Sequence, residues 1–97
     1  MLNSKQRSIL KSLANEMQSI FQIGKGGITP NLISQLNDAL NARELIKVSV
    51  LQNTDLDVKE TCNILASELN AEPVQTVGKK MILFRQARDP EKRRIMI

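Results

Sequence analysis

Gly24-Lys25-Gly26-Gly27 sets three glycines and a cation in four consecutive positions. Glycine has no Cβ, so the backbone there can come close to a ligand and adopt positive φ at little cost. The lysine adds charge, and the chemistry such a run serves is the holding of an anion. Its context reinforces this. The apolar run Ser19-Ile20-Phe21-Gln22-Ile23 precedes it as a short strand, and Thr29-Pro30 follows as an N-cap with proline at the first helical position. A loop that enters a helix in this way aims free N–H groups and the positive end of the helix dipole at its contents, and phosphate suits that place. Spacing removes two nucleotide-binding readings. The wider gap of a P-loop before its Gly-Lys-Ser/Thr is missing, and a dinucleotide loop needs small residues where Ile28 and Thr29 stand. What remains is a G-x-x-G loop, Gly24 to Gly27 with Lys25 inside it, the device with which KH-type modules clamp a nucleic-acid backbone.

Other chemistries are closed off by what is missing. The 97 residues include no His, Trp or Tyr and one Cys. Triads and Cys-His pairs need an imidazole base, and a zinc site needs a ligand cluster, so the reading is of no enzyme, no metal and no cofactor. An internal disulfide is impossible with a single cysteine. Together with the lack of a secretory signal, this points to a reducing cytoplasm. No apolar run is long enough to span a membrane. A chain this short has surface for one core and therefore one domain, with 87–97 as a short basic tail.

Net charge is +4, and it is unevenly spread: +3 over residues 1–50, −4 over 51–78 and +5 over 79–97. If the two ends meet in the fold, one face becomes cationic and favours polyanions, nucleic acid first. Arg7, Lys11, Lys47, Lys79, Lys80 and Arg85 are the cations expected to extend the contact begun by Gly24, Lys25, Gly26 and Gly27. Arg88, Lys92, Arg93 and Arg94 are further phosphate candidates. Only two aromatics, Phe21 and Phe84, occur, both in apolar strands where they belong to the core. Without an aromatic platform, recognition of folded RNA by backbone and shape is expected over base-by-base reading. Cys62 is assigned to the core as well.

These residues must be held by regular elements, and the periodicities supply them. A helix is predicted over 4–17, capped by Asn3 or Ser4, with Ile9, Leu10, Leu13 and Met17 on its buried stripe and Arg7 and Lys11 together on its flank. A strand over 19–23 leads to the glycine loop. A second helix from Thr29-Pro30 to Ala42 buries Leu32, Ile33, Leu36 and Leu40 and exposes Asn31, Ser34, Gln35, Asp38 and Asn41. The stretch 44–51 alternates Ile46, Val48 and Val50 with Lys47 and Ser49 as a half-buried strand. After a polar linker over 52–56, Asp57 and Glu60 form a capping box for a third helix whose stripe is Val58, Cys62, Leu65 and Leu69. Residues 73–77 and 81–85 flank Gly78-Lys79-Lys80 as a hairpin. The order α-β-α-β-α-β-β implies an α/β sandwich with a mixed four-stranded sheet.

The motifs, taken in order, resemble the CRM domain (chloroplast RNA splicing and ribosome maturation), and within it the stand-alone bacterial YhbY-type proteins. The likeness rests on Leu10-Lys11-Ser12-Leu13-Ala14, on Ile23-Gly24-Lys25-Gly26-Gly27-Ile28-Thr29, on Glu44-Leu45-Ile46-Lys47-Val48, and on 77–85, Val-Gly-Lys-Lys-Met-Ile-Leu-Phe-Arg. Asn15 stands where the family often has His, and Phe84 where it has Tyr. The resemblance implies a fold similar to the C-terminal domain of bacterial translation initiation factor three and RNA binding through the glycine loop and adjacent basic surface. It also implies association with precursors of the large ribosomal subunit. The expected role is a monomeric, non-enzymatic assembly factor that contacts ribosomal RNA, with no membrane and no small-molecule substrate. The alternative is a ribosome-associated protein-protein interaction module.

Overall fold

The structure, a computed structural model, describes residues 2–51, 55–95 and 97. The elements run α1 (Ser4–Asn15), β1 (Phe21–Ile23), α2 (Pro30–Arg43), β2 (Leu45–Val50), α3 (Val58–Leu69), β3 (Glu72–Val77), β4 (Lys80–Phe84) and a 3-10 turn, Pro90–Lys92. The predicted order and the mixed four-stranded sheet are both present. The expected linker over 52–56 lies partly outside the described residues.

Local chemistry explains most boundaries. Asn3 caps α1 in a reciprocal capping box: its Oδ1 accepts the Gln6 amide at 2.8 Å, and the Gln6 Oε1 accepts the Asn3 amide at 3.1 Å. Thr29 caps α2 through its Oγ1, which accepts the Leu32 amide at 3.1 Å, with Pro30 at the first helical position. At α3 the Asp57 Oδ1 accepts from the Glu60 amide at 3.0 Å. Such caps contribute about 1 kcal/mol each.

The strands lie in the order β1-β2-β4-β3, with β1 parallel to β2 and the other pairs antiparallel. Alternation along β2 divides the core between the two faces of this sheet. Ile46, Val48 and Val50 face α2 and α3 and pack with Leu36, Leu40, Cys62, Leu65, Met81 and Leu83. Leu45 faces the other way, with Ile82, Phe84 and Val74, against Leu10 and Ala14 of α1. The result has three layers, α1 on one face and the α2–α3 pair on the other.

Two details of α1 differ from the periodicity reading. The helix ends at Asn15, and its buried side is Leu10 and Ala14, while Ile9 is 38% and Leu13 46% exposed. The small Ala14 lets the helix lie close to the sheet, which turns the larger pair one step round the helix to its flank. The chain ends do meet. Leu2, Met17, Ile95 and Ile97 pack on the Leu10–Phe84 cluster, so the basic tail returns to the α1 side.

Candidate nucleic-acid interface

Parallel pairing of β1 with β2 puts the end of β1, and hence loop 24–27, beside the end of β2. Antiparallel pairing of β4 with β2 brings the 78–79 turn to the same end. Two backbone bonds join them: the Leu51 amide donates to the Ile23 carbonyl at 3.0 Å and the Val50 amide to the Lys79 carbonyl at 2.7 Å.

Within the loop the Gly27 amide donates to the Gly24 carbonyl at 3.0 Å, closing a turn with Lys25 and Gly26 at its tip. Each glycine has a different reason. A Cβ on Gly24 would lie 3.2 Å from the Leu51 Cδ1, so Gly24 serves close packing. Gly27 has φ 64°, the left-handed region that disfavours other residues. Gly26 needs neither: its backbone has no positive φ and the nearest atom to an added Cβ is the Thr29 Cγ2 at 3.9 Å. Its lack of a side chain leaves the outside of the loop open to an approaching molecule.

The helix end behind the loop is more fully satisfied than the sequence suggests. Pro30 has no N–H, Leu32 donates to the Thr29 side chain, and the Ile33 amide donates to the Thr29 carbonyl at 3.0 Å. The amides of Lys25, Gly26 and Asn31 have no acceptor among the described residues. They and the exposed Lys25 side chain are the donors this site offers.

Lys79 and Lys80 are exposed at the same end, where Gly78 takes φ 57° at the first turn position of the hairpin. Lys25, Lys79 and Lys80 are thus brought together by the topology. The other expected cations are not. Lys47 is half-buried on β2 and its Nζ donates to the Met17 carbonyl at 2.9 Å, tying the α1–β1 connection to the sheet. Arg7 Nη1 donates at 2.7 Å to the carbonyls of Pro73 and of Val74. Both carbonyls lie at the register shift between Pro73 and Gln75, where the regular pairing of β3 with β4 is interrupted.

Arg85 lies at the far end of β4, about 17 Å from Lys80 at the usual strand rise. Its guanidinium makes four hydrogen bonds: Nη1 donates to the Asn37 Oδ1 at 2.9 Å and the Leu69 carbonyl at 2.8 Å, and Nη2 to the Asn37 carbonyl at 3.1 Å and the Asn41 Oδ1 at 2.8 Å. Partial burial first, and then the charge of Arg88, hold its pKa below the ordinary arginine value. Arg7, Lys47 and Arg85 therefore each commit donors to bonds inside the domain. Lys11, one turn beyond Arg7, is half-buried on α1.

The sequence reading missed Glu44. It follows α2 with φ 66° and is wholly buried, and its carboxylate accepts the amides of Ala87 at 2.7 Å, Arg94 at 2.5 Å and Ile95 at 3.0 Å. Burial alone would push its pKa up; the three amides, with the charge of Arg93, bring it below the usual carboxylate value. A clue was available, since an acidic residue at a helix C-terminus opposes the dipole and Gly or Asn is usual there. Phe84 and Cys62 are buried as expected, and burial pushes the Cys62 thiol up to about 11. Among the described residues no group of three or more His, Cys, Asp and Glu could hold a metal ion, and no helix is long and apolar enough to cross a membrane.

Architecture and site together define a small α/β domain in which a strand, a glycine loop and a helix present open amides beside a lysine turn. Residues 2–85 match the model of the CRS1 / YhbY (CRM) domain, and the chain belongs to that family. It is 43% identical over 89 residues to "Probable RNA-binding protein YqeI" of Bacillus subtilis (strain 168), covering 92% of this chain and 93% of the relative. It is 34% identical over 89 residues to an "RNA-binding protein" of Haemophilus influenzae, covering 91% and 89%. The solution structure of SAV1595 from Staphylococcus aureus superposes with a TM-score of 0.80 at 43% identity, covering 99% of this chain and all of that one.

Proposed function

We propose that this chain is a non-enzymatic RNA-binding protein. In this reading it holds structured ribosomal RNA at the 24–27 loop and acts, as a cytoplasmic monomer, in assembly of the large ribosomal subunit. The observation that carries the binding site is the meeting of the Lys25-Gly26 tip and the Lys79-Lys80 turn at one end of the sheet. Open amides and three lysines there match a phosphate backbone. The names of the relatives favour RNA over other polyanions. The ribosomal target and the assembly step rest on the family resemblance alone. The test is the double variant Lys25→Asp/Gly26→Asp, measured by filter binding to ribosomal RNA fragments. A folded variant should lose binding; unchanged affinity would remove the loop from the interface.

A second reading, docking to a ribosomal protein, is favoured by Ile9 and Leu13, exposed one turn apart on α1. Salt separates the two. Phosphate binding weakens steeply as salt rises, whereas an apolar protein contact responds little.

A further inference from the structure

The sheet face next to the loop is uncovered at one end. Pairing aligns Gln22 with Ser49, Ser49 with Lys80, and Lys80 with Val77, one residue from each of the four strands. Ser49 alternates with the core residues Val48 and Val50, so this row lies on the α1 side of the sheet. On the same face Lys47, two residues before Ser49, bonds the Met17 carbonyl of the α1–β1 connection, while Gln22, Val77 and Lys80 are exposed. The row is the floor of an open groove of about 980 Å³, walled by Leu51 and by Gly78 and Lys79. Across four strands it is about 14 Å wide.

Three properties identify what it would take. The groove is lined by two lysines, Lys80 in its floor and Lys79 in its wall, and by no carboxylate, whereas four other clefts are each lined by one or more of Asp38, Asp57, Glu60, Glu68 and Glu91. It is continuous with the loop: Leu51 lines it and also packs against Gly24, and Gln22 stands two residues before Gly24, about 7 Å along the strand. Its floor is mixed, with an exposed amide at Gln22, a hydroxyl at Ser49, and apolar surface from Val77, which is 57% exposed. An apolar patch with a donor and acceptor beside it fits a flat heteroaromatic ring, and the lysines fit the phosphates joined to it.

We infer that this groove seats one unpaired base of the RNA whose backbone lies on the 24–27 loop, with Gln22 and Ser49 reading the base edge. The inference rests on the RNA-binding reading above and adds a specificity site to it. Loops and bulges of a folded RNA provide such bases, so no aromatic platform is needed for a single contact. The Gln22 amide offers a donor and an acceptor side by side, which match the N6/N7 edge of adenine best.

Fluorescent single-stranded homopolymers of A, C, G and U are the probes, titrated with the full chain at several salt concentrations. Wild type should bind the A strand about tenfold or more tightly than the weakest, the discrimination a bidentate base contact supplies. Gln22→Ala, at an exposed position, and Ser49→Ala should flatten this to about twofold with unchanged salt slopes, thermal unfolding certifying the fold of each. Equal binding of all four strands with a normal salt slope, or a preference that survives both substitutions, would overturn the groove and leave backbone binding intact. Absence of salt-dependent binding to all four strands would overturn the groove alone where ribosomal RNA fragments still bind, and the RNA reading with it where they do not.

Discussion

The buried carboxylate of Glu44 accepts the backbone amide of Ile95 at 3.0 Å, a bond between residues 51 apart in the chain. The same carboxylate holds Ala87 and Arg94, so one side chain fixes the path of the tail after β4. It does so from a residue with φ 66° and ψ −36°, a conformation that few side chains adopt. Strain of about 1–3 kcal/mol at such a residue persists only where the surroundings over-determine it, and here the three amides do.

Glu44→Gln should therefore destabilise the domain by about 2–3 kcal/mol, because the amide NH2 would face backbone donors in place of an acceptor. Urea unfolding measures this. Hydrogen exchange should show protection lost first at the amides of Ala87, Arg94 and Ile95, with the β2 and β4 ladder retained.

The same carboxylate gives the stability a pH dependence of known sign. Its pKa in the folded chain lies below its value in the unfolded chain, so its contribution is fully present above about pH 5 and is lost as pH falls through the folded value. Wild type should lose stability on acidification below about pH 4, and Glu44→Gln should lose less over the same range. Parallel curves for the two proteins would contradict the assignment.

The three loop glycines should separate under substitution by alanine. Gly27→Ala should cost about 1–2 kcal/mol through its positive φ. Gly26→Ala should leave thermal stability unchanged or raise it by about 0.4–1 kcal/mol, since its backbone and surroundings accept a Cβ, yet weaken RNA binding. A Gly26→Ala protein with full affinity would mean that nothing approaches the loop at that point.

Arginine and lysine variants should fall into two classes. Arg85→Ala should destabilise by about 2–4 kcal/mol through the carbonyls of Leu69 and Asn37 left without donors, with the salt slope of RNA binding unchanged. Lys79→Ala/Lys80→Ala should alter stability by no more than about 0.5 kcal/mol and lower the slope by about 1.4 on single-stranded RNA.

The parts legible in the sequence are those fixed by local rules. Thr29-Pro30 announces a helix start, Ile46, Val48 and Val50 announce a strand face, and Gly78 announces a tight turn, each through residues a few positions apart. The cation roles are not legible, because Arg7, Lys47 and Arg85 bond oxygens, most of them backbone carbonyls, from segments 16 to 67 residues away. A basic residue bound to a carbonyl and one bound to water look alike in sequence. Glu44 reads as the first residue of a strand for the same reason: its three partners lie 43 to 51 residues further on. Ile9 and Leu13 fit a helical stripe as well as Leu10 and Ala14 do, and only the contact with Leu45, Ile82 and Phe84 selects between them.

The most direct measurement is crosslinking in cells followed by sequencing of the attached RNA, with Lys25→Asp/Gly26→Asp as the control. The account predicts crosslinks concentrated in large-subunit ribosomal RNA and lost in the double variant. Crosslinks spread over all cellular RNA, or retained by the folded variant, would contradict it.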